Sequence, residues 1–192
     1  MKTIVINGNY NPEAQTSPCW YFLADSSLTN SGKPFFIPDF AEEFEAIPVI
    51  AVRTNRLGKS ITEKFAARYY TEYAPAVHFR ARDLMERLET SHMPTDMACS
   101  FDRSFIMGEF TPFPEDRHIG VQLLRNGEKE SEFDTDNLTY SIDRVVAEVS
   151  KANTLKMGDI IVPGLTAGTP VKIGDFLEIA TGGTTSLSVQ IK

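Results

Sequence analysis

Residues 75–84, PAVHFRARDL, set His78, Arg80, Arg82 and Asp83 behind a short apolar lead-in, where a strand is expected to pass into a helix. An imidazole, two guanidiniums and a carboxylate so close together could hold an anionic substrate and move a proton on it. A guanidinium matches the two oxygens of a carboxylate, and a histidine titrates near neutrality.

Other reactive residues stand more alone. His92 and His118 have no HxxxH or HExxH spacing, and a lone histidine is more often structural than a ligand. EEFE at 42–45 offers carboxylates to a hard cation, but short acidic runs are usually solvated surface. PGLTAGTP at 163–170 lacks the endings of a phosphate-binding loop and reads as a turn between strands. Cys99, between MA and SFD, reads as a small buried residue rather than a nucleophile. No GxSxG elbow is present. On the residues alone, no catalytic constellation assembles.

The elements that must carry these side chains follow from patterning. TIVI (3–6), FFIPDF (35–40) and AIPVIAVR (46–53) read as strands, with Pro48 making the last an edge or bulged strand. Residues 11–33 are polar and broken by prolines, which predicts a long loop or lid. Helices are expected over 60–73, from the Ser60/Glu63 capping box and the repeat Ile61, Phe65, Tyr69, Tyr73, over 81–90, and over 139–152. Asn126-Gly127 marks a hairpin, and the last forty residues read as strands and turns. The fold class is α+β, strand-rich, in one domain over 1–192.

With 19 basic and 26 acidic residues the net charge is −7, which disfavours nucleic acid. No apolar run is long enough for a bilayer, and no signal peptide is visible. Two distant cysteines suit a reducing compartment, so a cytoplasmic location is expected.

Taken in order, NY (9–10), FFIPDF, NRLGKSITEKFAARYY (55–70), FRARDL, SFD (100–102), NGE (126–128), TLKMGDII (154–161) and PVKIGDFLE (170–178) make the chain resemble the fumarylacetoacetate hydrolase family in its short single-domain form. The resemblance implies a mixed β-roll flanked by helices, assembled as a homodimer. It also implies Mg²⁺- or Mn²⁺-dependent hydrolysis, isomerisation or decarboxylation of small 2-oxo acids. The family holds its cation with a Glu-x-Glu pair and an Asp, and here those positions are Ile47, Val49 and His78. The other family pocket positions fall on Arg80, on Cys99 in place of a lysine, on Leu165 in the turn and on Glu13.

Aliphatic side chains and a neutral imidazole cannot hold Mg²⁺. The expectation is therefore a non-catalytic member with no metal or other cofactor. Arg80 and His78 are the candidate ligand-binding residues, for a small carboxylate, and an active paralogue is a further candidate partner in a heterodimer. The alternative is an active hydrolase, isomerase or decarboxylase with an altered site around His78 and Cys99, helped by Glu13 or Glu45.

Overall fold

The computed structural model describes residues 1–10 and 17–192. Its strands are β1 (Thr3–Asn7), β2 (Cys19–Leu23), β3 (Leu28–Asn30), β4 (Phe44–Thr54), β5 (Tyr70–Ala81), β6 (Phe105–Met107), β7 (Thr111–Pro112), β8 (Gly120–Arg125), β9 (Glu128–Asp134), β10 (Ile160–Val162), β11 (Thr169–Val171), β12 (Phe176–Thr181) and β13 (Thr184–Gln190). The helices are α1 (Glu63–Ala66), α2 (Arg82–Thr90), α3 (Asp96–Cys99) and α4 (Ile142–Ala152). Among the described residues a mixed sheet runs β2-β1-β10-β4-β5-β6-β3, with β11 beside β4 and β7 beside β5. A second, antiparallel sheet runs β13-β12-β8-β9. This is the expected strand-rich α+β fold.

The β4–β5 pair forms the spine. It keeps one register from Phe44 opposite Ala81 to Arg53 opposite Glu72. Both of its faces are covered, which explains the nearly continuous apolar run at 46–52. On one face Ala46, Ile50, Val52, Val77 and Phe79 pack with Val145, Val146 and Val149 of α4 and with Leu123 and Ile179 of the second sheet. Phe35 stacks on Phe79 there, with ring centroids 3.8 Å apart and planes 5° apart. On the other face Ile47, Val49, Ala74 and Ala76 pack with Val5, Phe105, Ile160 and Val162.

Several elements match the patterning. α2 and α4 lie where expected, and Ser141 Oγ accepts the Arg144 N–H at 3.1 Å as the cap of α4. Asn126 (φ 54°) and Gly127 (φ 85°) make the left-handed turn that joins β8 to β9.

Other expectations are corrected. The helix over 60–73 is limited to α1 and a 3-10 turn ending at Tyr69, because Tyr70 turns extended and β5 begins. Ser60 is in the left-handed region at φ 50° and does not cap, and the Ile61 N–H goes to Ser150 Oγ instead. Cross-strand pairing along β4 outweighs the local helical pattern. The loop expected over 11–33 contains β2 and β3, and its residues 11–16, with Glu13, lie outside the described residues. FFIPDF contributes a single bridge, Phe35 to Ile191, not a strand. Pro48 lies in the interior of β4, opposite Val77. Its missing N–H is tolerated because the far side of β4 carries no ladder partner from 47 to 51, between the stretches paired with β11 and β10. No helix of the described residues is long and apolar enough to cross a membrane.

Candidate functional site

The β4–β5 register places Glu45 opposite Arg80, Ile47 opposite His78 and Val49 opposite Ala76. Alternate residues of a strand share a face, so these side chains form a row on one side of the sheet. The row changes character along its length. Ile47 and Val49 are fully buried among apolar neighbours, whereas Glu45 and Arg80 form an ion pair at the end where β5 runs into α2. Arg80 donates from Nε and Nη2 to the same oxygen, Glu45 Oε1, at 2.9 and 2.5 Å. Its Nη1 and the Glu45 Oε2 make no hydrogen bond with the described residues.

Arg80 opens onto a cleft of about 360 Å³ lined also by Asn7, Tyr10, Leu165, Thr166 and Ala167. Asn9 is what brings these segments together. It is buried, donates to the carbonyls of Pro163 (2.6 Å) and Tyr140 (2.9 Å), and accepts the Tyr140 N–H at 2.8 Å. The 163–168 turn can then close over the row only because glycines allow it. A Cβ on Gly164 would lie 2.9 Å from Leu138, and one on Gly168 would lie 2.2 Å from Glu45 Oε2.

His78 lies one pleat deeper and is fully buried. Its Nδ1 is 3.1 Å from the Ser104 carbonyl, which can only accept, so Nδ1 carries the proton. Nε2 therefore accepts from the Tyr21 hydroxyl, 2.9 Å away. Burial lowers the His78 pKa to about 4, with the nearby Arg80 charge acting in the same direction and the Ser104 bond against it. The ring is neutral at physiological pH. Cys99 Sγ donates to the Thr95 carbonyl at 3.4 Å, and burial with the Asp96 charge pushes that thiol up to about 12. Cys99 is a neutral wall residue, not a thiolate nucleophile.

The structure brings His78, Arg80 and Cys99 into one neighbourhood, with Leu165 at the cleft. It does not make His78 an exposed acid or base, since both ring nitrogens are committed. Nor do Ile47, Val49 and His78 fit a hard cation: two offer no donor atom, and the third is sealed and neutral. Arg82 pairs at 3.8 Å with the exposed Glu43, and Asp83 accepts the Glu42 and Glu43 N–H groups at 3.2 and 3.4 Å. Both residues belong to the scaffold. Tyr21 and Gly168 were not legible as site residues. Tyr21 reaches His78 only through the β1–β2 pairing, and nothing in its neighbourhood in the sequence marks that.

A larger cavity, about 710 Å³, lies elsewhere, lined by Tyr73, His118, Gln122, Glu132 and Asp134 among others. Its carboxylates would repel a small organic acid. His118 lies 2.9 Å from Asp134 and 3.0 Å from Asp136 there, and these carboxylates raise its pKa, the hydrogen bond to Asp136 most of all.

A family model described as fumarylacetoacetate (FAA) hydrolase C-terminal matches residues 5–192. Over 181 residues the chain is 27% identical to a mitochondrial oxaloacetate tautomerase of Mus musculus, spanning 92% of this chain and 82% of that protein. It is 24% identical over 195 residues to an oxaloacetate tautomerase of Escherichia coli, spanning 95% and 89%. A fumarylpyruvate hydrolase from Pseudomonas aeruginosa, solved with Mn²⁺ and pyruvate, superimposes with a TM-score of 0.91 at 22% identity, over 100% of this chain and 89% of that one.

Two expectations fall here. Relatives named as enzymes along nearly the whole chain overturn the non-catalytic reading. The expectation of no metal is overturned by the Mn²⁺ in the matched hydrolase and by His118, Asp134 and Asp136, whose ligand atoms lie within 4.8 Å of one another. With the match running from residue 5 to 192, this chain belongs to the fumarylacetoacetate hydrolase family.

Proposed function

We propose that the chain is an enzyme acting on small 2-oxo acids, with its reaction centred on the cleft above Arg80 and Glu45. The observation that carries this reading is the half-committed guanidinium. Arg80 gives two donors to one Glu45 oxygen and keeps Nη1 without a partner among the described residues, at the floor of a cleft sized for a small acid. A substrate carboxylate takes that free donor. The same positive charge lies near the 2-oxo oxygen and stabilises the negative charge that develops there as an enolate forms. Glu45, with its Oε2 under the Gly168 backbone, holds the guanidinium in place at the floor of the cleft. Hydrolysis of an acylpyruvate, decarboxylation and keto–enol tautomerisation all pass through such an enolate, and the family relatives are named for reactions of this kind. Tyr21, His78 and Cys99 form a neutral polar layer behind the pair. Assembly as a homodimer and a reducing, cytoplasmic setting belong to the same proposal, supported by the family likeness and by two cysteines that form no disulfide.

The test is turnover of acetylpyruvate and of oxaloacetate, each with and without Mn²⁺, by the unaltered chain and by Arg80→Met. Turnover lost in the variant supports the reading. No turnover under any condition, or full activity in Arg80→Met, overturns it.

A further inference from the structure

At the end of β4 away from the cleft, two turns are clasped side by side. Gly58 and Leu155 exchange both backbone hydrogen bonds, at 3.0 and 2.8 Å, and the Gly158 N–H reaches the Thr54 carbonyl at 2.8 Å. Arg56 and Leu57 on one turn, and Lys156 and Met157 on the other, lie between these ties, so the two tips form one surface. The tips carry apolar side chains into water: Leu57 is 69% exposed and Met157 77%. The α1 segment joins the same edge, because the Asn55 N–H bonds the Tyr69 carbonyl at 2.9 Å and the Arg56 guanidinium lies over the Tyr69 ring at 5.7 Å. There Phe65 is exposed, with the Arg68 guanidinium over its ring at 4.7 Å. The carboxylates at this end are taken by other cations: Glu63 and Glu148 by Arg144, at 3.4 and 2.7 Å, and Asp159 by Lys2. Arg56, Lys59, Lys64, Arg68 and Lys156 are exposed and enter no salt bridge with the described residues.

We propose that this surface docks the protein onto an anionic lipid bilayer, without spanning it. Unpaired cations around protruding apolar side chains suit a headgroup boundary: Leu57, Met157 and Phe65 enter the apolar layer, and the lysine and arginine stems lie along it with their charges at the phosphates. Each such cation near an anionic surface is worth about fivefold in partitioning. The chain as a whole carries −7, so the patch is a local exception that orients the molecule. Repulsion from its more distant carboxylates is screened beyond about 8 Å at physiological ionic strength. An acidic polypeptide would satisfy the cations but leave the apolar tips of both turns in water, which favours lipid. Docking also leaves the cleft open. Glu45 and Thr54 lie toward opposite ends of β4 (Phe44–Thr54), about 30 Å apart at the rise of a strand.

The experiment is co-sedimentation of the full chain with vesicles of phosphatidylcholine alone and of phosphatidylcholine and phosphatidylserine mixed three to one. Two double variants accompany it, Leu57→Ser with Met157→Ser and Arg56→Gln with Lys156→Gln, with circular dichroism confirming that each is folded. The unaltered chain is expected to sediment with the mixed vesicles, less so as salt is raised, and to leave phosphatidylcholine vesicles largely free. Partitioning should fall about 25-fold in the charge variant and about tenfold in the serine variant. No association with the mixed vesicles, equal association with phosphatidylcholine alone, or unchanged binding by either variant overturns the proposal. Retention on immobilised polyglutamate that is lost in the charge variant, together with no association with vesicles, assigns the patch to an acidic polypeptide and overturns the bilayer.

Discussion

Arg80 sits directly across the β4–β5 ladder from Glu45, one pleat beyond the Ile47–His78 pair, and both its engaged nitrogens converge on one oxygen. The charged pair thus lies on the same face of the same two strands, one pleat along from Ile47 and His78. The positions that the family resemblance assigns to a cation are filled with packed side chains, and the next pleat holds a cation–carboxylate pair at the surface of a cleft.

That arrangement makes the planar guanidinium matter, not only its charge. Arg80→Lys keeps the charge but cannot serve Glu45 and a substrate together, so kcat/KM on the best 2-oxo acid should fall about a hundredfold, equivalent to roughly 3 kcal/mol. Gly168→Ala should lower activity without touching the substrate, because its Cβ would lie 2.2 Å from Glu45 Oε2 and force that carboxylate to move. Steady-state kinetics on folded variants checks both.

His78 should leave a clear signature in acid. Its folded pKa of about 4 lies below the ordinary 6.5, so between these values the unfolded chain binds the extra proton and the native chain does not. Stability is then fully present above pH 6.5 and declines as pH falls toward 4, by roughly 3 kcal/mol from this residue. NMR titration should show the His78 ring neutral at pH 5. His118 should do the opposite, titrating above its ordinary value, with its contribution fully present below that value and lost as pH rises through the raised one.

Tyr21→Phe removes the hydroxyl that donates to His78 Nε2 and leaves a buried acceptor without a partner. The expected cost is about 1–3 kcal/mol in chemical denaturation, with little change in the circular dichroism of the native state.

Asn9→Ala should cost a similar amount, about 1–3 kcal/mol, and should also weaken substrate binding. Its side chain ties Pro163 and Tyr140 together, and the turn that forms one wall of the cleft depends on that tie. An increase in KM larger than the change in kcat is the expected pattern.

Much of this architecture was legible in the sequence. The apolar run at 46–52, the Asn126-Gly127 turn, and the α2 and α4 patterns each signalled their element locally. The helix at 60–73 failed because Tyr69 and Tyr73 sit in register with a helical repeat while β4, far from view in that window, pairs with β5. At the site, the resemblance named His78, Arg80, Cys99 and Leu165 as pocket positions, and the fold shows what surrounds each of them. It could not show that the Glu45–Arg80 pair forms, because that depends on register, nor that His78 is sealed under Tyr21, because that depends on the pairing of β1 with β2. The loss of family ligand positions at Ile47, Val49 and His78 does not by itself imply a non-catalytic chain, since its relatives are named as enzymes.

The central claim is that the cleft over Arg80 and Glu45 promotes enolisation of a 2-oxo acid. It is tested most directly by proton NMR of 2-oxobutyrate in D₂O, following loss of the signal from the carbon beside the oxo group. The account predicts that the protein accelerates deuterium incorporation well above the buffer rate and that Arg80→Met and Glu45→Gln each abolish the acceleration. Exchange at the buffer rate with the unaltered chain, both with and without added Mn²⁺, would contradict it.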